Sequence, residues 1–305
     1  MEPSRPPGNG ICAAAPLDRL ALEFTRGVPH CRALGMETVA IAPGSACMRL
    51  PYSEVLLAQK GSRHLHTGAV STLMDSVCGL AAFAALPEPE RIATLDLRLD
   101  HLSPAAAGHD LIARADCHRL GPALAFVRAE CHQRNDERPV ALATATFARV
   151  LGATPATSRN GAPALNGQRK VSGKPGQTGP YAAYLGIRAQ QDAHGLLSVL
   201  PFSEELVGDA RVPAIHGGVI AGLLEEAGLS ALRRSLPQGC PQAIDFSIDY
   251  LRAAHARLVS AHARVTRLGR RIAHVQIEAW QNSAHKPVAV ARMHCLLTAP
   301  ADIPK

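Results

Sequence analysis

The 305-residue chain has few aromatic residues and no stretch of 18 consecutive apolar residues. Only 4% of its residues are aromatic while 47% are hydrophobic, so Leu, Ala and Val must build the core. Without an apolar run of that length, a membrane span is not expected. The N-terminal stretch likewise lacks the continuous apolar segment of a signal peptide.

Recognisable metal-binding and redox motifs are also missing. The eight cysteines form no CxxC pair, and the histidines show no HxxxH or HExxH spacing. Neither a zinc site nor a redox motif is therefore indicated, and no metal or other cofactor is expected. Several cysteines lie in apolar runs, as reduced and buried cysteines do. We infer a cytoplasmic protein.

The positive charge of the chain is dispersed. A formal charge of +7 with a pI near 9.2 admits an anionic partner. The basic residues are not clustered, however, and few aromatics are present to stack on bases. Nucleic acid is therefore the last-ranked partner, and an anionic small molecule fits the charge equally well.

Two halves of the chain repeat each other at a distance of about 150 residues, which marks an internal duplication. Four pairs of segments carry the repeat: "LPYSE" at 50–54 with "LPFSE" at 200–204, "LHTG" at 65–68 with "IHGG" at 215–218, "TLDLRLDHL" at 94–102 with "AIDFSIDYL" at 243–251, and "RLGPALAFVRAE" at 119–130 with "RLGRRIAHVQIE" at 267–278.

The repeat predicts a division of the chain into four parts. A Pro- and Gly-containing tail at 1–16 is expected to be disordered. The first domain then covers 17–151 and the second covers 181–299. Between them, residues 152–180 are rich in Gly, Pro, Ser and Thr, which is typical of a flexible linker.

Each copy has the pattern of an α+β unit. A short N-terminal helix (17–24 in the first copy) and a strand (45–52) precede one long apolar helix, and runs with a period of two follow it. Such alternation indicates half-buried antiparallel strands. A helix that is apolar nearly all round must be covered on most sides, so we expect the sheet to wrap around it.

Each long helix carries an acid where apolar residues dominate. Asp75 lies nine positions after His66, and Glu225 lies nine positions after His216. Burying an ionised carboxylate is costly, so such an acid needs a partner, a raised pKa or a function. The alternative is an acid that reaches solvent at a domain interface. The same placement in both copies favours a function.

The residues ahead of these helices suit an oxyanion. The first N–H groups of a helix have no intrahelical acceptor, the dipole is positive there, and glycine lets a ligand approach the backbone. Gly217 and Glu225, however, are separated by about 12 Å of helix rise. They cannot both contact one carbonyl group. If the two copies pair with antiparallel helices, each acid faces the other copy's helix entry.

Two composite sites are therefore predicted. The first joins one acid, a helix entry and a strand hydroxyl: Asp75, His216, Gly217, Gly218 and Thr94. The second joins the other acid to a more crowded entry without that hydroxyl: Glu225, His66, Thr67, Gly68 and Ala243. We expect the first site to carry the reaction.

At these residues the sequence resembles the PaaI-like hotdog acyl-CoA thioesterases. The matching stretches are "HTGAVSTLMD", "HGGVIAGLLE" and "TLDLRLDHLSP", and the resemblance covers about 18–150 and 180–299. It implies a tandem double hotdog in which each domain is a long helix wrapped by an antiparallel sheet, with the domains paired about a pseudo-twofold axis. Lys60 and Ala210 stand where the PaaI-like pattern commonly has Asn or Gln.

The resemblance also implies roles for the first site. Asp75 would act as base or nucleophile on the thioester, and the Gly217 N–H would stabilise the oxyanion. His216 would position the thioester, and Thr94 would orient the water or the acid. Glu occurs in place of Asp in some members, so Glu225 fits the pattern. Four arginines are candidates for the phosphates of coenzyme A: Arg119, Arg267, Arg270 and Arg271.

Two other functions fit the same residues. A hotdog hydratase or dehydratase would pair His216 with Asp75, and a non-catalytic module would bind acyl-CoA without turnover. The acyl group is not specified by the sequence. A homodimer of double hotdogs is a further expectation.

Overall fold

A computed structural model of the chain describes residues 17–133, 138–150, 178–192, 195–209, 213–236 and 240–298. The predicted tail at 1–16 and residues 152–177 of the predicted linker lie outside this description. The domain boundaries therefore stay predictions.

The described helices and strands follow a similar order in both halves, but the first half begins with two helices and the second with one, and only the second has the short strands β9 and β10. The α-helices are α1 Leu17–Gly27, α2 Pro29–Ala33, α3 Thr67–Ala84, α4 Pro180–Tyr184 and α5 Gly217–Ser235. The strands of the first half are β1 Glu37–Ala42, β2 Ser45–Leu50, β3 Arg91–His101, β4 Leu111–Leu120, β5 Leu124–Gln133 and β6 Ala141–Val150. Those of the second half are β7 Arg188–Asp192, β8 Gly195–Leu200, β9 Val207–Asp209, β10 Ala214–Ile215, β11 Cys240–Tyr250, β12 Val259–Leu268, β13 Ile272–Trp280 and β14 Ala289–Thr298.

The long helices α3 and α5 form the centre of the core. Nearly every residue of α3 is buried, as the continuous apolar pattern predicts. By length and mean hydropathy α3 would also be able to cross a membrane, although the chain contains no unbroken run of 18 apolar residues. In this structure 89% of α3 is buried inside the protein, because its apolar surface packs against the sheet and α5.

Twelve strands form one antiparallel sheet that continues through both halves. Its order is β1-β2-β4-β5-β6-β3-β11-β14-β13-β12-β8-β7, so β3 and β11 join the halves. In the repeat, Asp96 corresponds to Asp245 and Asp100 to Asp249. Across the joint Asp100 pairs with Asp245 and Asp96 pairs with Asp249, so each residue pairs with the counterpart of the other. Such an exchange is the signature of a twofold relation centred on Arg98 and Ser247. The predicted α+β double hotdog is confirmed.

The two central helices cross antiparallel and very close together. A Cβ atom on Gly68 would lie 2.9 Å from the Cα of Gly222, and one on Gly218 would lie 2.5 Å from the Cα of Thr72. The glycine two residues after the histidine of each helix entry is thus required for helix contact. The structure gives Gly68 and Gly218 a packing reason that the sequence interpretation, in which these glycines make room for a ligand, did not include.

The sheet edges were not predicted. Strands β1 and β7 flank β2 and β8, and their residues are mostly exposed or half-buried. They lack the apolar alternation by which the inner strands are recognised.

Matching irregularities of register occur in the two halves, between Thr94 and Asp96 in β3 and between Ala243 and Asp245 in β11.

Candidate functional site

The first composite site is assembled where α3 meets the start of α5. Asp75 Oδ2 accepts a hydrogen bond from the Gly218 backbone N–H at 2.9 Å, and Oδ1 accepts one from the Thr94 hydroxyl at 3.2 Å. Asp75 is only 6% exposed. The antiparallel crossing therefore brings an acid of the first copy to the helix entry of the second copy.

Burial sets the protonation of Asp75. Removal from water raises its pKa to about 6, and the bonds from Thr94 and Gly218 oppose that rise because they stabilise the ionised form. A carboxylate with a pKa near neutrality can hold a proton and release it at physiological pH. That property suits a general base.

His216 is fixed as a neutral imidazole at the N-cap of α5. Its Nδ1 accepts from the Gly218 N–H at 3.0 Å, so the ring proton lies on Nε2 and points to Ser76 Oγ at 3.3 Å. Burial lowers the pKa of His216 to about 4. The 3.4 Å approach of its Nδ1 to Asp75 Oδ2 is therefore not an ion pair. Both atoms share the Gly218 N–H.

Gly217 lies directly against the acid. A Cβ atom at this position would be 2.7 Å from Asp75 Oδ2. Its carbonyl oxygen accepts a hydrogen bond from the Tyr250 hydroxyl at 2.9 Å. Gly217 is the first residue of α5, and among the described residues its N–H has no acceptor. Gly217 and the Asp75 carboxylate are thus neighbours, as the predicted composite site requires. Tyr250 was not identified from the sequence.

The second composite site differs from its prediction. His66 was expected to face Glu225, but its Nε2 lies 3.1 Å from Glu226 Oε2. Glu225 instead accepts a hydrogen bond from Ser71 and lies beside His101, at 3.9 Å between Oε2 and Nε2. Adjacent residues of a helix point about 100° apart, and the crossing of α3 and α5 decides which acid reaches the imidazole.

Glu226 takes the place that Ser76 holds in the first site. It also accepts from Ser230 Oγ at 2.7 Å and from Arg233 Nη1 at 3.1 Å. Burial alone would raise the pKa of Glu226, but His66 and Arg233 hold it at about 2. This carboxylate is committed to an ion-pair network and is a poor candidate for a base.

A cavity of about 320 Å³ opens on the second site. His66, Thr67 and His101 line one part of it, and Ala243 and Arg233 line another. Asp75 is not among its lining residues. Gly68 contributes to the site through its helix contact and through its N–H, which donates a hydrogen bond to the N-cap residue His66 at Nδ1, at 2.9 Å.

The candidate phosphate-binding arginines are exposed at hairpin ends. Arg119 lies at the end of β4. The pairing of β4 with β5, of β5 with β6 and of β6 with β3 places this end of β4 at the same end of the sheet as Thr94. The other three, Arg267, Arg270 and Arg271, surround the β12–β13 turn. The pairing of β12, β13, β14 and β11 places this turn at the same end of the sheet as Ala243. The three arginines therefore lie at the end of the sheet that carries the second site.

No group of three or more His, Cys, Asp or Glu side chains suited to a metal ion occurs among the described residues. The first site is built from a carboxylate, a hydroxyl and backbone N–H groups. Such groups can bind a polar substrate, hold a water molecule and stabilise negative charge on oxygen.

Comparison with known proteins points to one family. The model of the thioesterase superfamily matches residues 63–140 and again 213–288, which together are half of the chain. The chain is 38% identical over 91 residues to a Halobacterium salinarum protein described as a candidate esterase, and that match spans 29% of this chain but only 59% of the relative.

A second relative is the medium/long-chain acyl-CoA thioesterase YigI of Escherichia coli K12, 28% identical over 137 residues, or 41% of this chain and 87% of YigI. Among solved structures, the acyl-CoA thioesterase II TesB2 of Mycobacterium marinum matches with a TM-score of 0.58 at 12% identity. The alignment covers 89% of this chain and 98% of that protein, and it supports the fold alone.

Proposed function

Because the chain belongs to the thioesterase superfamily, we propose that it hydrolyses acyl-CoA to a carboxylate and free coenzyme A. The observation that carries this proposal is the placement of Asp75 between the Thr94 hydroxyl and the helix entry of the other copy. In this proposal Asp75 is the base and the Gly217 N–H is the oxyanion donor for one thioester carbonyl.

In the proposed reaction Asp75 takes a proton from water, and the water oxygen attacks the thioester carbon. The Gly217 N–H, which has no acceptor among the described residues, stabilises the negative charge on the carbonyl oxygen. The tetrahedral intermediate breaks its C–S bond, and the departing thiolate takes the proton from Asp75. The water proton and the electron pair of the C–S bond thus both end on the coenzyme A thiol.

Neighbouring side chains would keep this arrangement fixed. Thr94 holds one oxygen of the acid, and Tyr250 holds the Gly217 carbonyl. His216 is neutral and accepts the Gly218 N–H, so it orients the helix entry and does not compete for the proton. We assign it a positioning role next to the thioester.

The acyl group is proposed by comparison. YigI is named as an enzyme of medium- and long-chain acyl-CoA, and we propose the same class here. Arg119, which lies at the first-site end of the sheet, is the proposed contact of the coenzyme A phosphates.

The direct test is release of free thiol from acyl-CoAs with acyl groups of different length and with an aromatic acyl group. We expect the highest kcat/KM for a medium- or long-chain substrate. Water addition to an enoyl-CoA is measured in parallel, because the hydratase alternative predicts that reaction. Binding of acyl-CoA without either reaction would contradict the proposal and support a binding module.

The pH profile follows from Asp75. The base must be ionised and its pKa is about 6, so kcat/KM should be constant above that pH and fall about tenfold per pH unit below it. Thr94→Val removes a bond that stabilises the ionised form, and it should move this fall to higher pH. A profile that is flat down to pH 5, or one that Thr94→Val shifts downwards, would contradict Asp75 as the base.

A further inference from the structure

Ser76 is a buried acceptor for the ring proton of His216. It lies on α3, is only 1% exposed, and has its hydroxyl oxygen 3.3 Å from His216 Nε2. The single hydroxyl proton is donated to the Thr72 carbonyl at 2.8 Å, so the oxygen can only accept from the imidazole. The ring must therefore carry its proton on Nε2, which leaves the Nδ1 lone pair for the Gly218 N–H.

A second buried group supports the same orientation of the hydroxyl. Cys31 Sγ lies 3.6 Å from Ser76 Oγ, and burial raises the pKa of Cys31 to about 12, so this residue remains a thiol. Because the Ser76 proton is engaged at Thr72, the thiol is the donor. Ser76 Oγ thus donates one hydrogen bond and accepts two, which is the full capacity of a hydroxyl group.

The equivalent position of the second copy holds a different acceptor. Ser76 lies ten residues after His66, and Glu226 lies ten residues after His216. The first site thus has a neutral hydroxyl where the second site has a carboxylate, 3.1 Å from His66 Nε2. A carboxylate in place of Ser76 would favour a charged imidazole at His216. A cation 3.4 Å from Asp75 Oδ2 would stabilise the ionised acid and make it a weaker base.

Three further titratable side chains pack around Asp75 and His216, and none of them is charged near pH 7. Burial lowers the pKa of His30, whose ring centre lies 5.4 Å from that of His216, to about 3. Burial also raises the pKa values of Cys78 and Tyr250, which both interact with Asp75, well above their usual range. The proton of the imidazole is therefore governed by the carboxylate of Asp75 and by the hydroxyl on α3.

We propose that Ser76 is a positioning residue of the first site. Its hydroxyl oxygen keeps the proton of His216 on Nε2, so that Nδ1 shares the Gly218 N–H with Asp75 and the neutral ring donates nothing to the acid. Without this acceptor the proton moves to Nδ1, where it forms a charge-assisted hydrogen bond to Asp75 Oδ2. The acid is then held in its ionised form and is a weaker base. This inference rests on the proposed hydrolysis, in which Asp75 is the base.

Ser76→Ala should change two quantities together. A long-range ¹H–¹⁵N spectrum of histidine-labelled protein at pH 8, in which His216 is identified by its loss in His216→Asn, should show the proton on Nε2 in wild type and on Nδ1 in Ser76→Ala. Above pH 7, kcat/KM for acyl-CoA should fall about three- to tenfold, because a weaker base accepts the water proton more slowly. The decline of kcat/KM at acid pH should move about one pH unit lower, since the ionised acid gains a hydrogen bond. Thr94→Val is expected to move it in the opposite direction.

Two control variants separate positioning from packing. Ser76→Thr keeps a hydroxyl that can bond the Thr72 carbonyl and should restore both the Nε2 proton and the acid decline. Cys31→Ala removes volume beside the same hydroxyl at a fully buried position, so it should lower the Tm and leave both quantities as in wild type.

The inference is overturned if wild-type His216 carries its proton on Nδ1, if Ser76→Ala leaves either the spectrum or the acid decline as in wild type, or if Cys31→Ala reproduces the changes of Ser76→Ala. Failure of the proposed function has a different signature, which is that wild-type protein releases no thiol from any acyl-CoA. The spectrum would then still decide whether the Ser76 hydroxyl places the proton of His216.

Discussion

Asp75→Asn should lower kcat/KM for the preferred acyl-CoA by about 10²–10⁴, the usual contribution of a positioned general base. Asn keeps the shape of the side chain, and its oxygen can still accept from the Gly218 N–H, so the helix entry stays in place. What is lost is the capacity to take a proton from water. Release of free thiol above pH 7, where the wild-type acid is ionised, measures the effect.

Stability provides the control for this variant. Since burial raises the folded-state pKa of Asp75 from 3.8 to about 6, the protonated form stabilises the fold at low pH, and that stabilisation is lost as the pH rises through 6. Asp75→Asn, which carries no charge, should therefore have a Tm at least equal to that of wild type at pH 8. Asp96→Asn alters a half-buried acid of strand β3, two residues from Thr94, and should retain activity. Activity of Asp75→Asn within tenfold of wild type would refute the assignment.

Gly218→Ala should have the largest effect on stability. The added Cβ would lie 2.5 Å from the Cα of Thr72 and 3.0 Å from its Cβ, so the backbones of α3 and α5 must move apart. Overpacking of this kind costs about 3 kcal/mol, which corresponds to a fall in Tm of roughly 5 °C for a chain of 305 residues. Differential scanning calorimetry measures it.

Gly79→Ala is the matched substitution in α3. Its Cβ would meet Phe147 at 3.7 Å and Phe24 at 3.8 Å, which are ordinary contacts. Because Ala favours the helix over Gly by about 0.5–1 kcal/mol, this variant should melt at or slightly above the wild-type temperature. Equal Tm values for Gly218→Ala and Gly79→Ala would show that the close helix crossing is not required.

The central elements of the fold could be predicted because their patterns are strong. The inner strands alternate with a period of two, α3 and α5 are apolar on nearly all sides, and the repeat shows each element twice. The edge strands β1 and β7 carry no such pattern, because half-exposed edge residues are under little packing constraint. The helix rise was enough to predict composite sites, because an acid eight residues along a helix cannot contact the same substrate carbonyl as the N–H groups at the start of that helix.

The partners within those sites required the structure. Glu225 and Glu226 are neighbours in sequence, and either could have reached His66. The rotation of α5 against α3 gives that contact to Glu226 and places Glu225 beside Ser71 and His101. Tyr250, which is aromatic and near the end of a strand, gave no sequence signal for its bond to the Gly217 carbonyl.

Periodicity and internal repetition, which can be read along the chain, were enough to predict the duplication, the α+β class and the two long core helices. Helix geometry predicted the pairing of Asp75 with the opposite helix entry on the condition that the two helices run antiparallel. Three features required the tertiary structure: the close helix contact that needs glycine at positions 68 and 218, the identity of the acid that binds His66, and the cavity at the second site. Each of these depends on how closely and at what rotation two helices far apart in the chain pack together, and no local pattern encodes that distance.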